Sequence, residues 1–254
     1  MAITIKSERE IELMAEAGKI LERVHNELEN ALRPGMSTKD IDTLGEEIIR
    51  SYGCIPSFLN YNGYPASICV SVNQEVVHGI PDKHRIIQEG DIVSLDAGVI
   101  YKGYHSDAAR THAVGEVSEE AKKLIQVTKE SFFEGIKFAK AGNHLFDISG
   151  AIGIYAEERG YGVVRDLCGH GIGTALHEAP EIPNYEVGRK GVRLRPGMTL
   201  AIEPMINIGT HEVDWLDDDW TVVTRDGSLS AHYENTILIT EGEPRILSLT
   251  CENE

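Results

Sequence analysis

No apolar run in this 254-residue chain approaches the ~18 residues that a membrane-spanning helix needs, so no membrane partner is expected and a soluble protein is. The opening residues, Met1-Ala2-Ile3-Thr4-Ile5-Lys6, lack the basic segment, apolar segment and cleavage site of a secretory signal, which points to the cytoplasm. Cysteine is scarce. Cys54, Cys69, Cys168 and Cys251 lie far apart with no C-x-x-C pair, which argues against a thiolate zinc site or a disulfide framework and for reduced thiols. Positive charge is short as well: 24 Lys and Arg against 41 Asp and Glu give a formal charge of −17. That disfavours a nucleic-acid substrate, because phosphate recognition needs clustered cations. The local exception is Arg189, Lys190, Arg193 and Arg195, which reads either as a solvated loop or as a contact for an anionic assembly.

Against these absences stands a duplication. Gly90-Asp91-Ile92-Val93-Ser94-Leu95-Asp96 and Gly197-Met198-Thr199-Leu200-Ala201-Ile202-Glu203 read as one element written twice at an offset of 107 residues, each an apolar strand ending in a carboxylate. The same offset aligns Arg33-Pro34-Gly35 with Lys140-Ala141-Gly142, Asp40-Ile41 with Asp147-Ile148, and Gly53 with Gly160. His78-Gly79-Ile80-Pro81 echoes His177-Glu178-Ala179-Pro180. A single long repeat is too large for a solenoid. It predicts one compact domain over residues 1–254, built from pseudo-symmetric halves of about 7–115 and 116–250, with no N-terminal extension domain.

Each half opens with helices. Ser7-Glu8-Arg9-Glu10 has capping-box spacing, and Leu13, Ala17, Ile20, Leu21, Val24 and Leu28 recur every three or four residues behind it. Pro34-Gly35 breaks that helix; Ser37 to Asp40 offers a second cap, and the next helix stops at Gly53, suited to a left-handed position. The second half repeats the plan from Ser118 and again from about Leu145 to Gly160. Strand-like runs cover Ile68 to Val72, Ile92 to Ile100, Gly103 to Val114, Met198 to Ile208, Trp220 to Arg225 and His232 to Thr240. The fold class is α+β, with a mostly antiparallel sheet covered by helices on one face.

With Tyr101-Lys102 as a hairpin tip, Asp96 and Asp107 come out roughly opposite each other on adjacent strands. Opposed like charges destabilise a sheet, so either a cation lies between them, one is protonated, or each faces solvent with its own Lys or Arg. Glu203, the duplicate of Asp96, favours a shared site. His170, in Gly169-His170-Gly171-Ile172-Gly173, and Glu234, just before an apolar strand, complete a set of four carboxylates and one imidazole. Such hard, oxygen-rich donors suit Mn, Fe or Co, with Zn also accommodated, and four negative charges balance two divalent cations.

Together, His78-Gly79-Ile80-Pro81, Asp96, Asp107, Cys168-Gly169-His170-Gly171-Ile172-Gly173, His177, Glu203-Pro204 and Glu234 resemble the type I methionine aminopeptidases, enzymes of pita-bread fold, over almost the whole chain. The resemblance implies removal of the initiator methionine from nascent peptides with a small second residue, through attack of a metal-bound hydroxide on the first peptide bond. It implies that Asp96 chelates one metal ion, that Asp107 and Glu234 bridge two, and that His170 and Glu203 complete the shell. His177 would contact the scissile amide, His78 the leaving group, and Glu203 would shuttle the proton of the attacking water. Tyr61, Tyr64, Cys69 and Trp220 would line the methionine pocket, core packing being their other reading. The remaining partner expectations are a monomer and a transient ribosome contact.

The metal is left open among Co, Mn, Fe and Zn. Phe58, Leu167, Leu176 and Asn62 depart from residue types frequent in the family, which bears on pocket shape rather than on metal binding. Asp217-Asp218-Asp219 reads as a solvated turn in preference to a recognition element for the peptide amine. His25, His84, His105, His112, His144, His211 and His232 carry no motif and read as surface or core histidines. Competing readings are a proline-directed peptidase of the same fold, a metal-free peptide- or ribosome-binding module, and a two-metal phosphoesterase. The first usually carries a large N-terminal domain, the second loses ligands, and the third needs a cationic clamp beside the carboxylates.

Overall fold

Helix α1 (Glu8–Ala31) starts where the sequence caps it, with the Glu10 carboxylate accepting the Ser7 N–H at 2.7 Å. Helix α2 (Thr38–Ser51) is capped reciprocally: Ser37 N–H donates to Asp40 at 2.8 Å and Asp40 N–H to the Ser37 hydroxyl at 3.0 Å. It ends ahead of Gly53, whose φ of 72° is the left-handed conformation glycine adopts without strain. Helices α3 (Glu119–Ile136) and α4 (Leu145–Glu157) repeat the arrangement, α3 capped by Ser118. The computed structural model from which these elements are taken describes residues 3–249; Cys251 lies outside them. Cys54, Cys69 and Cys168 are free thiols. Among the described residues no helix is long and apolar enough to cross a membrane.

Strands are numbered in chain order. The main sheet runs β1 (Ile55–Pro56), β4 (Ile92–Tyr101), β5 (Tyr104–Ala113), β14 (Glu234–Leu238), β9 (Thr199–Ile202), β7 (Gly169–Gly171), β8 (Glu178–Ile182). Strand β2 (Ile68–Val72) also pairs with β4, and β15 (Arg245–Ile246) with β14. All these pairings are antiparallel. Two small sheets flank it: β13 (Ser230–His232), β10 (Met205–Asn207) and β6 (Gly162–Val163); and β11 (Val213–Trp215), β12 (Val222–Thr224) and β3 (Glu75–Val77).

Strand alternation decides what faces the helices. Val93, Leu95, Ala97 and Val99 of β4, Ala108 of β5 and Ile68, Val70 and Val72 of β2 pack with α1 and α2 in one apolar core. Leu200 and Ile202 of β9 and Ile237 of β14 do the same with α3 and α4. The intervening positions, among them Asp96, Asp107 and Glu234, therefore point to the face away from the helices.

Three details differ from the strand pattern. The β4–β5 tip is Lys102-Gly103, one residue later than expected, because both take positive φ (48° and 87°) and so fit the two-residue turn favoured by strand twist. In that register Asp107 faces Gly98 and Asp96 faces Ala109, so the two acids are diagonal neighbours on one face rather than opposed. The run Met198 to Ile208 is interrupted at Glu203-Pro204, since proline has no N–H for the ladder. Its neighbour, the run from His232, breaks beside it at Tyr233, whose N–H donates to Pro204 O at 3.2 Å. Both chains leave the main sheet together there.

Candidate active site

On the helix-free face a cavity of about 130 Å³ opens. Its lining brings together Asp96, Asp107, His170, Glu203 and Glu234; His78 and His177; and Tyr61, Tyr64, Cys69 and Trp220, whereas Leu167, expected to bear on the pocket's shape, packs instead in the apolar cluster around Val164 and Met205. Phe58, Asn62 and Leu176 line it as well.

The four carboxylates arrive by three routes. Asp96 and Asp107 come from the β4–β5 hairpin, and Glu234 heads β14 directly beside β5, where it pairs with Ala109. Glu203 sits at the proline break, its carbonyl taken up by the Asn184 side chain at 3.1 Å. His170 lies in β7, where bare glycines let the strands close in: a Cβ on Gly169 would lie 2.4 Å from Ala201 O, and one on Gly171 2.2 Å from Ala179 O. The His170 Nδ1 lies 2.9 Å from Gly171 O, which orients Nε2 toward the acids, 3.6 Å from Glu203 Oε1 and 3.9 Å from Asp107 Oδ2. Ligand atoms of Asp107, His170 and Glu234 all lie within 4.8 Å of one another.

The electrostatics of this cluster are one-sided. Asp96 Oδ1, Asp107 Oδ1 and Glu234 Oε1 are buried without a hydrogen-bond partner. Burial pushes the Asp107 carboxyl up to about 7, and burial followed by the Asp107 charge pushes Asp96 and Glu203 well above the carboxylate range. Glu234 is raised by burial and by Asp107, Glu203 and Asp96, with Arg110 opposing. Arg110 stands behind the sheet, and its guanidinium donates to the Glu234 carbonyl and to Asn235 Oδ1 instead of pairing with a carboxylate of the cluster. Orphaned carboxylate oxygens around one imidazole are the donor set of a hard divalent cation, so these residues fit a metal site.

Both further histidines are shifted toward the neutral form. Burial, then the neighbouring His177, takes His78 down to about 4, and burial lowers His177. His78 has a φ of 60°, a left-handed value costly for a side chain of its size and of the kind that collects at functional sites. Next to it Gly79 is obligatory, because a Cβ there would lie 2.4 Å from Val70 O. His177 is exposed at the cavity mouth. Its Nδ1 is 2.8 Å from the Tyr61 hydroxyl, and its ring meets His170 edge-on with centroids 4.1 Å apart. Tyr61 is thus a partner of His177 as well as a wall.

Deeper in, Tyr64 and Trp220 meet edge to face at 5.1 Å, and the Tyr64 hydroxyl donates to Gly79 O at 3.0 Å. Cys69 faces the same space, its thiol pushed well up by burial and the Asp96 charge. The acidic turn has a structural role, since Asp218 accepts the N–H groups of Trp220 and Thr221 at 2.9 and 2.7 Å and so fixes where Trp220 enters the wall.

Two groups near the cluster had no sequence motif. His232, buried in β13, places Nε2 4.0 Å from Glu234 Oε2. Arg110 was signalled only by a cation in an otherwise small-residue stretch, Ala108-Ala109-Arg110-Thr111. The basic loop is partly anchored, Arg193 donating to Gly142 O at 3.1 Å and Arg189 stacking on Phe146.

The model of metallopeptidase family M24 matches residues 12–241. The chain is 58% identical over 250 residues to the methionine aminopeptidase of Clostridium acetobutylicum, covering 98% of this chain and 100% of that protein. It is 51% identical over 239 residues to methionine aminopeptidase 1 of Bacillus subtilis, covering 94% and 96%. The crystal structure of methionine aminopeptidase from Thermotoga maritima superposes with a TM-score of 0.96 at 47% identity, covering 98% of this chain and 100% of that one.

Proposed function

The chain belongs to metallopeptidase family M24, and from its full-length likeness to methionine aminopeptidases we infer that it is an exopeptidase removing N-terminal methionine from peptides and nascent proteins whose second residue is small. The observation that carries this reading is a juxtaposition. A buried cluster of carboxylates and one imidazole opens directly onto a pocket walled by Tyr64, Cys69 and Trp220. A thioether is at home against such walls, where sulfur–aromatic contacts are favourable.

In this reading Asp96, Asp107, His170, Glu203 and Glu234 hold two divalent cations, of Co, Mn, Fe or Zn. Bound there, such cations lower the pKa of water toward 7 and polarise the scissile carbonyl. The chain's own groups do the rest. Glu203 takes the proton of the attacking water and passes it to the departing nitrogen. The Tyr61 hydroxyl lies 2.8 Å from Nδ1 of His177; with the hydroxyl as donor, the ring proton would lie on Nε2, free to stabilise the developing oxyanion. His78 faces the amide nitrogen of the leaving peptide. In the same reading the protein works as a cytoplasmic monomer, with the basic loop of Arg189, Lys190, Arg193 and Arg195 as its face for transient contact with the ribosome.

The test is release of the N-terminal residue from Met-Ala-Ser, Leu-Ala-Ser and Ala-Pro-Ser by chelator-stripped protein given Mn, Fe, Co or Zn. Cleavage of the first peptide alone is expected. Cleavage of the third would move the chain to proline-directed chemistry, and silence on all three would leave a binding module.

A further inference from the structure

The segment ahead of α1 is tied into the loop that carries His177. Lys6 N–H donates to Gly197 O at 2.8 Å. The Lys6 side chain is 4% exposed, and its ammonium lies 2.6 Å from Glu178 Oε2. Thr4 donates its hydroxyl to the same oxygen at 2.5 Å, and Lys6 also reaches the Thr4 hydroxyl. The second oxygen, Glu178 Oε1, accepts the Ala175 N–H at 3.3 Å. One carboxylate therefore ties the short turn 175–178 back on itself and fastens it to the N-terminal segment, with His177 inside the turn.

Two glycines are shaped around this arrangement. A Cβ on Gly173 would lie 2.4 Å from Lys6 Cε and 2.5 Å from Glu178 Oε1, and one on Gly197 would lie 2.7 Å from Ile5 Cγ2. The last glycine of Gly169-His170-Gly171-Ile172-Gly173 is thus accounted for by the ion pair, while the first two serve close strand approach. Burial works to raise the Glu178 carboxyl, but the hydrogen bonds and charge of Lys6, with Thr4, outweigh it and hold the group ionised.

A buried ion pair is weak evidence of net stabilisation, because desolvation offsets much of the attraction. What it supplies here is a fixed position. Tyr61 and His170 touch only the His177 ring; its backbone neighbour is held by Lys6. We propose that Lys6 and Glu178 are positioning residues, a clamp behind the turn 175–178 that sets the His177 imidazole over the cleft. The proposal rests on the reading of the chain as a methionine-removing peptidase in which His177 faces the scissile bond. Neither residue lines the methionine pocket or the carboxylate cluster; Glu178 borders a second cavity beside His170 and His177, but its carboxylate is taken up by Lys6, Thr4 and the Ala175 N–H, so loosening the clamp should slow turnover without weakening substrate capture.

The experiment compares Lys6→Met, Glu178→Gln and the double variant with the unaltered protein, all loaded with the same metal. It reads kcat and KM on Met-Ala-Ser, metal content and thermal melting. Each single variant should lower kcat by about 10- to 100-fold, the scale of a small misplacement of a reacting group. KM should stay within about 3-fold at unchanged metal content. The double variant should be no slower than the worse single one, as expected of partners in one interaction. If a single variant fails to fold, the double variant, which leaves no lone buried charge, carries the comparison. Folded, metal-replete variants with unaltered kcat, a KM rise with kcat retained, or losses that multiply would each overturn the clamp while leaving the peptidase reading intact. An unaltered protein silent on the peptide would overturn both.

Discussion

Asp107 and Thr236 exchange two hydrogen bonds across the seam between β5 and β14: Asp107 N–H donates to the Thr236 hydroxyl, which donates to Asp107 O, both at 2.9 Å. The backbone ladder there covers Glu234 and Asn235 only, so a side chain takes its place beside the carboxylate cluster. Thr236→Val keeps the shape and removes both bonds. It should cost about 1–3 kcal/mol of stability, the penalty for orphaned buried polar groups, and weaken metal binding, read by melting and metal titration. Unchanged affinity would mean that this seam does not hold Asp107 in place.

The Asp107 side chain itself should matter more to chemistry than to folding. Asp107→Asn removes a charge from a cluster that is already too acidic, so it should fold at least as well without metal. Metal stoichiometry by elemental analysis should fall and turnover of Met-Ala-Ser should vanish. Retention of both would show the metal site to be elsewhere.

His177 should be separable from metal binding. His177→Ala is expected to lower kcat about 10²- to 10³-fold, as loss of one oxyanion donor does, with metal content unchanged. Loss of metal instead would make the residue a ligand.

His105 provides a pH test beside the cluster but outside its donor set. It is buried with Nδ1 3.0 Å from the Ser57 hydroxyl, and burial takes it from 6.5 to about 4 against the opposing charge of Glu178. The unfolded chain then gains this proton at a higher pH than the folded one. Its stabilising share is therefore complete above about 6.5 and drains away as pH falls toward 4. Melting temperatures of His105→Gln should decline less steeply than those of the unaltered protein across that window; parallel curves would refute the assignment.

Much of the site was legible because its signals are local. Asp96 and Glu203 stand out as single carboxylates ending apolar runs, and His78 and His177 share the H-x-x-P setting. The diagonal placement of Asp96 and Asp107 was not legible, since it depends on which two residues accept positive φ at the hairpin tip. That the strand stops at Glu203 instead of running on to Ile208 appears only when the missing N–H of Pro204 is followed to its consequence for the ladder. The Lys6–Glu178 pair has no local signature, because the partners are 172 positions apart and only the closed fold brings them together. Arg110 is similar: nothing in β5 announces that its cation turns to the Glu234 carbonyl.

The cavity is assembled from two kinds of backbone. Three of its acids ride on paired strands and Glu203 on the break between two of them, whereas much of its rim, Phe58, Tyr61 and Asn62 beside left-handed Asn60 and Leu176 and Trp220 opposite, hangs on connecting turns. For a medicinal chemist this divides the labour. A chelating warhead would grip the strand-borne half and draw affinity from it, yet learn little about which member of the family it had met. Discrimination would have to be sought along the turns, where backbone can be reshaped without disturbing the sheet.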